Sequence, residues 1–258
     1  MAKYHSVDDA RGMMGLRLVV TAHVPGIWSE AAKGLFDAKN VPYQLVEQEV
    51  GGENRALQAW TAQTSGPVAI WNDERPRSTW LEQLYLAERL APEPRLIPAD
   101  FNDRVRMFGL INEICSENGY GWNIRLVSLH RTLTNPAITD EMKAMSRRLG
   151  AKYGYAPERV AAAEAQMAAI LGALRAQLAD QRARGRRFLI GDRLSALDIY
   201  WATFAGSIDP LPPDLCPNLP DYMRASYTNP TLKDIAGPEL FEHRDFIYRT
   251  YLKLPMDF

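Results

Sequence analysis

Cysteine and histidine are both scarce in this chain. Its 258 residues include two cysteines, Cys115 and Cys216, and four histidines that lie far apart in sequence. A disulfide framework or a zinc site needs several such residues at close spacing, so neither is expected, and a reducing, cytoplasmic compartment is the natural interpretation. The H-E-x-x-H pair and the Gly-rich phosphate loop are absent as well. Bound metal and bound nucleotide are therefore disfavoured.

The chain also lacks an excess of charge of either sign and any long apolar run. Lys and Arg number 30 against 31 Asp and Glu. A broad basic field that would attract nucleic acid or an anionic membrane is therefore not expected. The first apolar stretch, Leu16 to Ala22, is too short to span a bilayer and lacks the features of a secretion signal. With 47% hydrophobic residues, the chain is expected to fold as a soluble globular protein with a substantial core.

Prolines divide the sequence into two parts. Pro92, Pro94 and Pro98 interrupt any regular element and favour an extended connector. The predicted segments are an N-terminal extension (1–15), a first domain (16–91), a linker (92–100) and a second domain (101–258).

The first domain alternates strand and helix patterns. Apolar runs and helical periodicity predict strands over 16–21, 42–47 and 68–71, and helices over 29–39, 54–61 and 78–90. A strand, a crossover helix and a second strand imply a parallel pair with helices covering both faces of the sheet.

The second domain is predicted to be helical. High helix propensity favours helices over 102–117, 140–152 and, in an alanine-rich run, 157–184. A further helix is predicted to begin at Ala196, where Ser195 and Asp198 form a capping box and Leu194 packs on Ile199. The fold class is α/β plus all-α.

The order of these features carries a resemblance. The step Gly66-Pro67 precedes the third strand, a proline-marked linker follows, and Gly191, Ser195 and Asp198 make a G-x-x-x-S-x-x-D box. This arrangement resembles the glutathione transferase family, in an atypical class. The resemblance implies a thioredoxin-like N-terminal domain, a helical-bundle C-terminal domain, glutathione as the co-substrate at their junction, and a homodimer.

The resemblance also implies residues that bind glutathione. It implies that Pro67 is cis, beside Gly66, and that Val68 offers its backbone N–H and C=O to the cysteinyl part of the tripeptide. Where the family has a Glu-Ser pair for the γ-glutamyl carboxylate, this chain has Ser78-Thr79. These hydroxyls at a helix start suit an anion, but they are equally suited to capping the helix alone. Three acidic residues remain open as partners of the ligand's ammonium group: Asp73, Glu74 and Glu82.

The residue that activates the sulfur is sought in the loop from Thr21 to Glu30. Ser29 stands where the cysteine-type classes of the family have cysteine, and Gly26 stands where a serine-type class has serine. Ser29 is the predicted catalytic residue, as a hydroxyl donor to the glutathione sulfur; the alternative is that it only caps the first helix. Trp28 is predicted to form an apolar wall of the glutathione site, and the alternative is a core tryptophan.

Four residues are candidates for the pocket of the second substrate, which is expected to be a small hydrophobic electrophile: Met107, Phe108, Tyr120 and Trp122. At helical spacing the first two are more often core residues. Two glycines flank Tyr120 and interrupt the helix, which suggests either the mouth of a hydrophobic site or an ordinary bend that packs aromatic rings at a subunit contact.

The predicted function is transfer of the glutathione sulfur to this electrophile, with no metal. One alternative is a non-catalytic module of the same fold that binds a ligand or a protein partner. Another is a glutathione-dependent lyase or reductase, although the first loop lacks the cysteine that disulfide exchange requires.

Overall fold

A three-stranded sheet organises the N-terminal domain. The computed structural model describes residues 2–258, the side chain of Met142 excepted. The sheet has the spatial order β2-β1-β3, with strands β1 (Leu16–Thr21), β2 (Tyr43–Gln48) and β3 (Val68–Trp71). β1 runs parallel to β2 and antiparallel to β3. The predicted parallel pair is confirmed, and two strands have the predicted bounds.

Helices make up most of the remaining chain. Four belong to the N-terminal domain: α1 (Val7–Arg11), α2 (Ile27–Ala38), α3 (Arg55–Thr61) and α4 (Trp80–Leu90). Seven follow the linker: α5 (Phe101–Cys115), α6 (Tyr120–Thr134), α7 (Asp140–Tyr153), α8 (Val160–Ala183), α9 (Ala196–Phe204), α10 (Asp221–Tyr227) and α11 (Pro230–Tyr251). α11 is interrupted at Gly237, which has a φ of 72°. No helix among the described residues is both long and apolar enough to cross a membrane.

The alternation of side chains along β1 separates two core layers. Leu16, Leu18 and Val20 belong to a large cluster that includes Leu35 of α2 and Leu84 of α4 and continues into the helical domain. Val19, which lies between Leu18 and Val20, belongs to the other face of the sheet. Its partners on the two neighbouring strands are Val46 and Val68. That face forms a smaller cluster with Ala10 of α1 and Leu57 of α3. The two domains therefore share one hydrophobic core on the α2 side of the sheet.

Residues 2–15, which the sequence analysis assigns to an N-terminal extension, include segments that pack against the first domain. His5 extends the sheet edge beside β2, donating to the Leu45 carbonyl at 2.9 Å and accepting from Glu47 at 3.1 Å. α1 then covers the sheet, and Ala10 is fully buried. A five-residue helix is too short to show helical periodicity, so the residue pattern carried no signal for it.

The linker between α4 and α5 is held by one buried lysine. The ammonium group of Lys39 donates to the carbonyls of Ala91 at 2.6 Å and Pro94 at 2.8 Å and pairs with Glu88 at 2.7 Å. The linker residue Leu96 is fully buried and accepts from the Ala196 backbone at the start of α9. The linker therefore fixes the relative position of the two domains.

Candidate functional site

Gly66 and Pro67 lie at the start of β3, against the middle strand. The peptide bond between them is cis, as the resemblance implies. A Cβ on Gly66 would lie 3.0 Å from the Val19 carbonyl oxygen, so only glycine allows this close approach. The buried amide of Gln83 donates to the Pro67 carbonyl at 3.1 Å and to the Arg77 carbonyl at 3.2 Å. These bonds fix the backbone that borders the cleft.

A cleft of about 320 Å³ separates this backbone from α6 and α7. Gly66, Trp28 and Ser29 line its first wall. Its cationic residues come from the opposite, helical domain: Arg125, Arg148 and Lys152. Among the described residues that line it there is no Asp or Glu. The cleft is therefore electrostatically suited to an anionic ligand.

Helix α2 begins at the edge of this cleft without a side-chain cap. Its N-cap is Gly26, and the first intrahelical bond joins the Glu30 N–H to the Gly26 carbonyl at 2.8 Å. The N–H groups of Ile27, Trp28 and Ser29 precede that bond, so they have no acceptor within the helix. A helix start of this kind stabilises a negative charge placed near it.

Ser29 is the third residue of α2, and the alternative that it is the N-cap is wrong. Its hydroxyl oxygen accepts from the Thr21 backbone N–H at 3.1 Å, and its side chain is buried. Ser29 therefore fastens the end of β1 to α2. Its hydroxyl proton has no protein acceptor within the described chain, so it can still donate into the cleft that it lines.

Trp28 forms the wall between the cleft and the helical domain. Its indole N–H donates to the Cys115 carbonyl at 2.9 Å, and its ring meets Phe204 edge-on at 5.3 Å. Arg125 stacks over the cleft side, 5.6 Å from the ring centre. The ring is half-buried. One part of it therefore lines the cleft, and another part packs in the core, so Trp28 has features of both alternatives.

Lys152 stands opposite Trp28 across the cleft. Its ammonium group donates to the Ser65 hydroxyl at 2.9 Å, which connects α7 to the loop before Gly66. Partial burial and, secondarily, the positive charge of Arg125 lower the pKa of Lys152. The ammonium group and its two cationic neighbours, Arg125 and Arg148, favour a bound anion.

Comparison with known proteins identifies the helical half first. Residues 157–243 match the family model described as "Glutathione S-transferase, C-terminal domain". Over nearly the whole chain, the structure resembles that of yeast Ure2p in complex with glutathione, with a TM-score of 0.64, 14% identity and coverage of 94% of this chain and 95% of that one. Residues 157–243 are therefore similar to the C-terminal domain of glutathione S-transferases, and the whole chain has the glutathione S-transferase fold.

Two further solved structures have the same fold with different named activities. A Tau class glutathione S-transferase from mango, Mangifera indica, has a TM-score of 0.53 and 20% identity, covering 93% of this chain and 99% of that chain. A β-etherase from Sphingobium has a TM-score of 0.57 and 16% identity, covering 86% and 98%. No curated protein matches the sequence. At these identities the likeness establishes the glutathione S-transferase fold and not the reaction.

Ser78 and Thr79 do not line the cleft. Thr79 is the N-cap of α4. Its hydroxyl accepts a hydrogen bond from the Glu82 backbone N–H at 3.3 Å, and the Glu82 carboxylate accepts one from the Thr79 backbone N–H. The capping role therefore accounts for Thr79. Glu82 also pairs with Arg75 at 2.6 Å, so this carboxylate is already occupied.

Glu74 is likewise paired within the protein. Its carboxylate contacts Arg77 at 2.5 Å and Arg89 at 2.6 Å, and hydrogen bonds from Arg89 and Arg77 lower its pKa. Neither Glu74 nor Asp73 lines the cleft. Of the three acidic residues predicted as ammonium partners, two are therefore committed to arginines.

The four residues predicted to line the second-substrate pocket lie elsewhere, which corrects the sequence-based pocket. Met107 is fully buried in the core. Phe108 packs on Trp80 and on Tyr85, both at 6.1 Å. Neither residue lines the cleft.

Neither Tyr120 nor Trp122 lines the cleft. Tyr120 is buried, shares a 2.9 Å hydrogen bond with Ser207, and has its pKa raised by burial. Trp122 stacks edge-on against Tyr153 at 4.7 Å and donates to its carbonyl at 3.1 Å. The glycine between them accounts for this, because a Cβ on Gly121 would lie 2.5 Å from Phe204. α6 thus approaches α9 closely at Gly121, and the two flanking rings leave the helix in other directions.

A second cavity adjoins the cleft beyond Arg125. It has a volume of about 370 Å³ and shares Gly26, Arg125 and Tyr227 with the first. Sequence reasoning missed this cavity and the cations of both. The available signal was the spacing of Arg125, Ser128 and Arg131, which lie three residues apart along α6 and therefore share a face.

Proposed function

We propose that this protein binds glutathione in the cleft beside Gly66 and Pro67 and adds its sulfur to a small electrophile. The observation that carries the proposal is the combination, within this fold, of an uncapped start of α2 with a cleft lined by Arg125, Arg148 and Lys152 and by no acidic residue among those described. Solved structures of the same fold contain bound glutathione.

The charge of glutathione agrees with these surroundings. The tripeptide carries two carboxylates and one ammonium group at neutral pH, and ionisation of the thiol adds a further negative charge. Three cations around one cleft compensate these charges, and Arg125 can donate in the planar, paired geometry that suits a carboxylate. Lys152 and Arg148 contribute from α7, so ligand binding is expected to draw α7 towards the first domain.

Activation of the sulfur requires a lowered thiol pKa. Lowering that pKa by about two corresponds to roughly 2.7 kcal/mol of selective stabilisation of the thiolate. The start of α2 supplies about 0.3–1 kcal/mol when exposed and up to about 2 kcal/mol when partly buried. The Ser29 hydroxyl and the positive charge of Arg125 are the remaining contributors. In the proposed mechanism, the thiolate is therefore stabilised jointly by backbone N–H groups, Ser29 and Arg125, and not by a single catalytic hydroxyl.

The test is a pair of measurements on the purified protein. Calorimetric titration with glutathione should show saturable binding, and the ultraviolet absorbance of the bound thiolate should report its lowered pKa. Ser29→Ala should bind glutathione and lose part of the thiolate stabilisation. Ser65→Ala, which removes the other serine hydroxyl of the cleft, beside Gly66, should retain it. Absence of saturable glutathione binding to the unaltered protein would refute the proposal.

A non-catalytic ligand-binding module is the second candidate. The observations that favour it are Gly26, which offers no hydroxyl, and the occupation of the Ser29 oxygen by the Thr21 N–H. This candidate predicts glutathione binding with an ordinary thiol pKa and no turnover of any electrophile. A reductase is not favoured, because Cys115 and Cys216 are both buried and neither lines the cleft. Cytoplasmic residence remains part of the proposal.

We also propose that the protein is a homodimer that associates through α4 and α5. Both helices present large apolar side chains to solvent, namely Leu81, Tyr85, Phe101 and Val105, with exposed fractions of 38%, 53%, 66% and 55%. A second copy covering this surface would remove them from water. Light scattering should give twice the chain mass for the unaltered protein and one chain mass for Tyr85→Glu with Val105→Glu. Tyr222→Glu, at an exposed site on α10, is the control and should remain dimeric.

A further inference from the structure

The second cavity has a consistent chemical character. One face of α6 supplies much of its lining, with Ile124 and Val127 as apolar members and Ser128 and Arg131 as polar ones. Ile138 extends the apolar part from the segment after α6. The cavity therefore offers an apolar surface with a cation at one end, which is the shape of a site for an amphipathic small molecule.

Within the described residues, the two arginines of this cavity have no counter-ion. Neither Arg125 nor Arg131 forms an ion pair or hydrogen bond with an acidic side chain in the part of the chain that the structure describes, and no Asp or Glu belongs to the described lining. The Nε of Arg125 is buried without any hydrogen-bond partner. Arg131 is exposed, so its guanidinium is accessible to an external anion.

The position of the cavity relates it to the proposed reaction. Gly26 lines both cavities and lies at the start of α2, where the glutathione sulfur is proposed to be stabilised. A molecule resting on Ile124 and Val127 can therefore extend from Arg131 at one end to the sulfur at the other. Arg125, which lines both cavities, lies between the two ligands.

We infer that the electrophile carries a carboxylate, which binds Arg131, and an apolar body, which rests on Ile124 and Val127. This inference rests on the proposed function and specifies its second substrate. An acid of this class is retained by charge at one end while its apolar part is desolvated. Neutral compounds of the same shape would lose the charge-assisted hydrogen bonds.

The chemical step is an addition with departure of a leaving group. For a chlorodinitrobenzoate, the glutathione thiolate forms a carbon–sulfur bond at the chlorine-bearing ring carbon. The carbon–chlorine bond then breaks, chloride leaves with its electron pair, and the thiol proton passes to solvent. No oxidant or reductant is required.

The first experiment compares this chlorodinitrobenzoate with the matching chlorodinitrobenzamide at saturating glutathione. Each kcat/KM is divided by the uncatalysed rate constant with free glutathione, which removes intrinsic reactivity. The unaltered protein should prefer the carboxylate by about tenfold, the size of one charge-assisted hydrogen bond. The preference should disappear in Arg131→Gln, return in Arg131→Lys and persist in Arg106→Gln, an exposed site on α5. Equal values for both probes, or a preference that survives in Arg131→Gln, would overturn the inference.

A second experiment separates this inference from the proposed function. Unreactive dinitrobenzoate and dinitrobenzamide are titrated without glutathione, with quenching of tryptophan fluorescence as the readout. Dinitrobenzoate should bind about tenfold more tightly, and Arg131→Gln should remove the difference. This result would support the anion site even if glutathione did not bind. Equal binding of both, or binding of neither, would contradict the site whatever the outcome with glutathione.

Discussion

The guanidinium of Arg125 stacks over the ring of Trp28, 5.6 Å from the ring centre, and so joins α6 to α2 across the boundary between the domains. The same guanidinium lies 5.2 Å from the centre of the Tyr153 ring. Two aromatic faces thus stabilise the cation through cation–π contacts, whereas an ion pair would use a carboxylate. Its terminal N–H groups have no hydrogen-bond partner among the described residues, and Arg125 lines both cavities, so it couples the two proposed binding sites.

Replacement of Arg125 by lysine should weaken glutathione binding by about tenfold. Lysine keeps the charge but lacks the planar group that stacks on Trp28 and donates two parallel hydrogen bonds. Calorimetric titration with glutathione measures the effect. Arg106→Lys on α5 is the matched control and should leave the dissociation constant unchanged. Equal affinities for Arg125→Lys and the unaltered protein would exclude Arg125 from the glutathione site.

Gly121 tests the packing that positions Trp28. A Cβ at this residue would lie 2.5 Å from Phe204 and 2.9 Å from Trp28, so Gly121→Ala should destabilise the fold by about 1–3 kcal/mol. Gly109 is also within a helix but has no atom within 4 Å of its Cβ position, so Gly109→Ala should stabilise by roughly 0.5–1 kcal/mol. Urea unfolding measures both. A neutral Gly121→Ala would show that Trp28 can move freely.

Much of the fold could be predicted from sequence because its signals are local. The apolar run Leu16 to Thr21 and the step Gly66-Pro67 mark strands whose bounds the structure confirms. The capping residues of α9 were likewise readable, since they are neighbours in the chain. By contrast, α1 escaped detection because five residues cover little more than one helical turn.

The site itself depends on contacts that sequence spacing does not reveal. Arg125 contacts Trp28 although almost one hundred residues separate them in the sequence. Lys152 and Ser65 are in contact across a similar sequence separation. Aromatic residues beside glycines suggested a pocket around Tyr120, but the close contact of Gly121 with Phe204 turns that ring into the core. Which face of α6 borders the cleft is decided by helix packing, and this is why Arg125, rather than Tyr120 or Trp122, lines it.

Asp198 should be the most costly carboxylate to remove from the helical domain. It is fully buried and accepts from His243 Nε2 and from the backbone N–H groups of Leu189 and Ser195, each at 2.8 Å. Asp198→Ala leaves those buried groups without a partner, so we expect a loss of about 3–5 kcal/mol in the free energy of unfolding. Asp192→Ala, at an exposed turn, should change it by less than about 0.5 kcal/mol. Urea unfolding distinguishes them, and similar midpoints would contradict the structural role of Asp198.

Glu30 should give the protein a stability that falls as pH rises. It pairs with Lys33 at 2.8 Å, yet burial raises its pKa despite the opposing effect of that lysine. The folded state therefore holds the proton more tightly than the unfolded state. The resulting stability is present below the ordinary glutamate pKa of about 4.3 and is lost as pH rises from there through the raised pKa of the folded state.

Glu30→Gln removes this titration, so its stability relative to the unaltered protein should increase with pH across that interval, by up to about 1.4 kcal/mol per pH unit, and then level off. Unfolding in urea at a series of pH values, with Glu164→Gln at an exposed site on α8 as the control, measures the difference. A difference that decreases with pH would mean that Lys33 outweighs burial and that Glu30 is ionised throughout.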